Sequence, residues 1–147
     1  MFYIAAWEGN DKRIWYEYAG RYFTTLFGCE QHDIADFFRK NVIDLRIYQN
    51  LDIAVGVQKQ VKSHDEISSS REELREEGTK TRTIEAVYKI SLGQGKKIWL
   101  KDQATIEVYE QDNICLSLGI LTIVSKEMEA EDELKKHHDL LENIVQE

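Results

Sequence analysis

A chain of 147 residues, 42% hydrophobic and 31% charged, has the length of one domain and enough apolar surface to bury a core. Its net charge of −8 sets it against a phosphate backbone, so nucleic acid is not an expected partner. Two distant cysteines, Cys29 and Cys115, provide no disulfide framework and fit a reducing compartment, and no apolar run reaches the ~18 residues that would span a bilayer.

Phe2 to Glu8 is an apolar, aromatic run, Gly9-Asn10-Asp11 is a turn cluster, and Arg13 to Tyr18 is a second aromatic run. Together they predict a β-hairpin. Gly20 to Phe27 suits a short helix stopped by Gly28, because glycine tolerates the left-handed position that ends a helix. Asp33 can cap the next helix, in which Ile34, Phe37, Phe38, Val42, Leu45 and Tyr48 follow helical spacing. Leu51, Ile53, Val55 and Val57 alternate like a strand, while Leu51, Val55 and Gln58 also fit a helix; the reading favours helix.

Ser63-x-x-Glu66 has the form of a capping box and predicts a helix through Glu77, stopped by Gly78, with a thin apolar face of Ile67 and Leu74. Residues 82–92, 98–109 and 114–124 then read as three antiparallel strands. The turns between them are Gly93-Gln94-Gly95 and Gln111-Asp112-Asn113. Strands, small helices, then strands imply an α+β fold, an antiparallel sheet with helices on one face.

From Lys126 the chain becomes a charged amphipathic helix. Val124, Leu134, His138, Leu141 and Val145 follow heptad spacing, with Glu127 and Glu131 at the earlier equivalent positions. A lone helix of this length is marginal in water, and pairing with a second copy would stabilise it. A homodimer is therefore expected, with Leu134, His138, Leu141 and Val145 as its helix contacts.

Tyr88-Lys89-Ile90, the Gly93-Gln94-Gly95 turn, Ile98-Trp99-Leu100, the strand from Gly119 to Ser125 and the run Glu129-Ala130-Glu131-Asp132-Glu133-Leu134 together resemble a PAS domain with its trailing PAC motif. Leu26-Phe27-Gly28 and Ser63-His64-Asp65-Glu66 extend the resemblance upstream. It implies five strands in the order 2-1-5-4-3, a sensory domain over residues 1–125 and a linker helix over 126–147. It also implies a sensor or relay, not an enzyme, in a cytoplasmic part of a bacterial signal-transduction protein. The output domain would be a histidine kinase, a diguanylate cyclase or another PAS domain. The alternative is a ligand-free dimerisation module of the same fold. The family's Asp-Ile-Thr is replaced here by Ile123-Val124-Ser125, so Ile123 and Ser125 occupy the positions that pass a signal to the exit helix.

The resemblance places any ligand between the sheet and the helices. Candidate lining residues are Phe23, Phe38 and Tyr48 from the helices, and Tyr88, Ile90, Leu100, Asp102, Ile106 and Leu118 from the strands. Asp102 shares the face of Leu100 and Ala104, so its carboxylate needs a partner, which a ligand or a neighbouring arginine can supply. A packed core without ligand accounts for the same aromatic and aliphatic faces.

Other motifs carry less. His138-Asp139-Leu140 resembles a phosphoacceptor box but lacks the following Arg and Pro. Cys29-x-x-His32 offers two of the four ligands a structural zinc requires. Neither a reactive flavin cysteine motif nor a pocket-facing haem histidine stands out, so no metal and no cofactor are expected.

Overall fold

The computed structural model describes residues 1–9, 13–48 and 57–146, the last three without their side chains. An opening hairpin, β1 (Phe2–Glu8) and β2 (Ile14–Ala19), leads into helix α1 (Arg21–Phe27). Gly28 ends α1 in the left-handed conformation at φ 67°, and its N–H donates to the carbonyls of Thr24 and Thr25. A 3-10 turn (Gln31–Asp33) then opens α2 (Ile34–Asn41). Asp33 is the N-cap of α2, without a capping bond from its side chain.

The chain next departs from expectation. Helix α2 stops at Asn41, and Val42–Tyr48 is a strand, β3, followed by β4 (Val57–Val61). The helical reading of 42–48 is corrected by the pairing of β3 with both β4 and β5. A bulge between Val42 and Asp44 lets Val42 and Leu45 both face the inner core, while Tyr48 falls on the opposite face, so their three-residue spacing is not a helical stripe. The helix favoured for 51–57 lies outside the described residues except at Val57, which begins β4.

Helix α3 (His64–Thr81) follows. Ser63 is its N-cap but makes no side-chain capping bond. Gly78 does not stop the helix, which continues to Thr81 and ends on Arg82 at φ 68°. Gly78 has another role: a Cβ there would sit 2.7 Å from Cγ1 of Ile84, so its bareness lets α3 lie against β5.

Strands β5 (Thr83–Gly93), β6 (Lys96–Tyr109) and β7 (Ile114–Ile123) occupy the predicted segments, and α4 (Ser125–Gln146) follows at once. Gly93, Gln94 and Gly95 all take positive φ in the tight β5–β6 turn, a conformation that favours glycine at its ends. No described helix is long and apolar enough to cross a membrane.

The seven strands form one sheet in the order β2-β1-β7-β6-β5-β3-β4, with every adjacent pair antiparallel. The five expected strands run β2-β1-β7-β6-β5. The expected five-stranded sheet in the order 2-1-5-4-3 is therefore corrected: β3 and β4 extend it at the β5 edge.

The main core lies on one face, where Phe23 and Phe27 of α1, Ile34 and Phe38 of α2, and Ile67 of α3 cover Tyr3, Ile90, Leu100 and Leu121. Each such fully buried side chain contributes about 1.5–3 kcal/mol. A smaller cluster on the opposite face joins Tyr48, Val87, Trp99 and Val124 to Met128 of α4. The helices thus divide: α1–α3 cover the inner face, and the root of α4 covers part of the outer one.

Candidate functional site

Strand alternation sends Tyr3, Asp102 and Ser117 of β1, β6 and β7 inward, onto the face that α1–α3 cover. There they border a cavity of about 30 Å³ together with Tyr16, Phe38, Arg71 and Tyr88. That volume accommodates about one ordered water. The Tyr3 hydroxyl donates to Oδ1 of Asp102 at 2.6 Å and lies 3.4 Å from Oγ of Ser117. Burial pushes the Asp102 carboxyl up to about 7, opposed by the hydrogen bond from Tyr3 and the charge of Arg71. Asp102 as a whole residue is half-buried, and it is among the residues that line the cavity. Burial also raises the Tyr3, Tyr16 and Tyr88 hydroxyls, so all three are neutral donors at ordinary pH.

Arg71 and Arg75, one helical turn apart on α3, form the roof of this cavity. The Arg71 guanidinium stacks 4.4 Å from the ring centre of Phe38 and 5.7 Å from that of Tyr88. Its residue is 8% exposed. A desolvated cation over aromatic faces gains about 2 kcal/mol from them. Burial, reinforced by the neighbouring Arg71, pushes Arg75 down to about 10. Above the roof, a second pocket of about 270 Å³ opens to solvent, bordered by Ile14, Ala35, Arg13, Arg39, Arg71 and Arg75, with Ser68 and Glu72. The two spaces share Ile14, Arg71 and Arg75. A wider groove of about 700 Å³ between β4, α3 and β5 has the opposite character, with Glu73, Glu77 and Glu85 on its walls.

Of the predicted pocket residues, the structure brings Phe38, Tyr88 and Asp102 to the cavity. Phe23, Ile90, Leu100 and Ile106 are buried in the same inner core but do not border the space. Two placements are corrected. Tyr48 belongs to β3, not to a helix, and its ring packs on the outer face with Met128. Leu118 is also outward, since Ser117 beside it on β7 faces the cavity and neighbouring strand residues point to opposite sides.

The outer face holds α4. Arg46 of β3 stands 3.1 Å from Asp132, 3.8 Å from Glu131 and 3.7 Å from Asp44, and lies 4.6 Å over the Trp99 ring. The Tyr48 hydroxyl donates to Oε2 of Glu131 at 2.7 Å. At the junction, the backbone N–H of Trp99 donates to Oγ of Ser125 at 3.0 Å, and the backbone carbonyl of Trp99 accepts from the Val124 N–H at 2.9 Å. Ser125 is thus the stitch between β6 and the helix, while Ile123 is 40% exposed.

Beyond Asp132 the helix leaves the sheet, and residues 133–143 are all exposed. Leu134 and Leu141 are 70% and 49% exposed, and His138 Nε2 lies 3.7 Å from Glu142. The side chain of Val145 is outside the described residues.

Arg71, Arg75 and Arg46 did not stand out in the sequence. A signal existed for the first two: Ile67, Arg71, Leu74, Arg75 and Gly78 fall on one stripe of α3, so arginines occupy a core-facing surface. Cys29 and Cys115 are free thiols, and among the described residues no group of three or more His, Cys, Asp and Glu is placed to hold a metal ion. No protein-family model matches this chain, and no curated protein matches it.

Proposed function

We propose that this chain is a sensory or relay domain of the PAS type, without catalytic activity of its own, which couples the space beneath α3 to the helix α4. The observation that carries the reading is the two-sidedness of the sheet. Its inner face presents Asp102, Tyr3 and Tyr88 to a cavity roofed by arginines. Its outer face anchors the root of a helix that then projects into solvent. Strand β3 belongs to both sides: Leu45 is in the inner core, while Arg46 and Tyr48 hold α4. A shift of β3 on the inner side therefore alters the contacts of Glu131 and Asp132. The resemblance of residues 84–142 to the PAS sequence pattern supports the same assignment. In this reading the parent protein is a bacterial signalling protein, the exposed helix feeds a downstream kinase, cyclase or further PAS domain, and the working form is a cytoplasmic homodimer.

A ligand-free dimerisation module is the competing reading, favoured by the small size of the inner cavity. Native mass spectrometry of freshly purified chain, paired with amide exchange across residues 125–132 before and after refolding to remove any ligand, separates the two. Sensing predicts a retained small molecule and slower exchange in its presence. A bare chain mass with unchanged exchange would defeat the sensing reading.

A further inference from the structure

We propose that the pocket above the cavity binds a small organic carboxylate, clasped by Arg71 and Arg75 of α3 with Arg13 and Arg39 at the rim. This rests on the sensing reading and names its ligand class.

Charge comes first. The pocket is bordered by four arginines and one carboxylate, Glu72, in a chain whose net charge is −8. Local cations have been gathered against the overall balance. Arg39 is partnered outside the pocket by Asp36. Arg71 is different: it is 8% exposed, and among the described residues no carboxylate forms an ion pair with it. The Asp102 carboxylate bears on Arg71 only from across the cavity, and Tyr3 already occupies its Oδ1. The guanidinium is stacked on Phe38 and Tyr88 and hydrogen-bonded to the Tyr88 side chain, so its donors are met by neutral groups while its buried charge lacks an anion.

Geometry and size narrow the class. The planar fork of an arginine matches the two oxygens of a carboxylate. The pocket's 270 Å³ lies just below the usual range of ligand sites, room for a small molecule but not for a dinucleotide or flavin. Ile14 and Ala35 offer a short apolar wall for a few methylenes. The cavity below is polar and water-sized, so the ligand's inner end reaches Asp102 and Tyr3 through water rather than by direct insertion.

The test is a titration of the isotopically labelled chain followed by NMR, at constant ionic strength, with succinate, neutral succinamide and inorganic phosphate as separate probes. The expected result is saturable shifts at Ala35, Ser68 and the Arg71 side-chain N–H with succinate, and none with succinamide. Arg71→Gln should weaken succinate binding about tenfold or more, since it removes a charge-assisted contact, and Arg39→Gln should weaken it less. Shifts that never saturate, a variant that binds like the parent, or phosphate binding as tightly as succinate would each overturn the assignment. Should Arg71→Gln fail to fold, the shift map of the unaltered chain decides alone. The two readings fail separately: a neutral compound that slows exchange in α4 sinks the carboxylate and leaves sensing intact, whereas succinate that binds without any response in residues 125–132 keeps the site and sinks the relay.

Discussion

The Tyr3 hydroxyl and Oδ1 of Asp102 lie 2.6 Å apart, joining β1 to β6 across the intervening β7. The bond orients a carboxyl that burial has made a weak acid. It also explains why Asp102 survives beneath aromatic rings: it has a neutral donor on one side and a cation, Arg71, on the other.

Asp102 should make stability depend on pH. Its folded pKa of about 7 exceeds the unfolded value of about 3.9. The folded state therefore holds an extra proton between those values, and the contribution is full below about pH 4 and lost as pH rises through about 7. The difference is bounded above by about 4 kcal/mol, and water in the adjoining cavity reduces it. Urea unfolding at pH 5 and pH 8 should show the parent chain losing more stability than Asp102→Asn. Equal slopes for the two proteins would contradict this account.

Gly119→Ala should break the same bond from behind. A Cβ on Gly119 would collide with the Tyr3 ring and its hydroxyl. The ring must move, at a cost of about 1–3 kcal/mol. A matching drop in unfolding free energy, with the Asp102 carboxyl titrating at a changed pH by carbon-detected NMR, is the expected pair of results. An unperturbed titration would mean that Tyr3 does not control the carboxyl.

The latch on α4 should be asymmetric. Arg46→Ala leaves Asp44, which is 5% exposed, with the Gln60 amide but without its cation, and removes the stacking on Trp99, so a loss of about 3 kcal/mol is expected. Asp132→Ala removes a partner whose side chain is 39% exposed and should cost below about 1 kcal/mol. Both should speed amide exchange in residues 126–132. Chemical denaturation that ranks the two variants in reverse would place the anchor elsewhere.

How legible was this molecule? Residues 82–92 and 98–109 alternate over most of their length because one face meets a core and the other is largely open, and 114–124 was legible as a central strand from its apolar run. β3 does not alternate: Asp44, Leu45 and Arg46 are consecutive and all buried, since the outer face at this edge is covered by α4. A strand buried on both sides with a bulge near its start carries no period of two, and three-residue spacing imitates a helix. Tyr48 followed that error into the wrong site. Asp102 was found because a lone carboxylate on an apolar face is conspicuous, but its partner Tyr3 is a contact between the two ends of the chain, and no local pattern encodes it. Gly78 was misread for a related reason: its need is space beside Ile84, not a positive φ.

The free half of α4 invites a direct trial. Leu134 and Leu141 are seven residues apart and exposed. As a dimer stripe they predict that Leu134→Ala with Leu141→Ala shifts sedimentation toward monomer while changing monomer stability by no more than about 0.5 kcal/mol. Sedimentation identical to that of the parent chain at equal concentration would remove this helix from the dimer contact.

Gly78 also sets how closely α3 approaches the sheet. Where it passes Ile84, the helix backbone rests directly on a strand side chain, and no shorter residue exists to bring it closer. One turn earlier, Arg75 and Leu74 border open space, and Arg71 lies a further turn away. The height of α3 above β5 is therefore fixed by a missing methyl group: Gly78→Ala would push this end of the helix away from Ile84, while Ile67 holds the other end in the core.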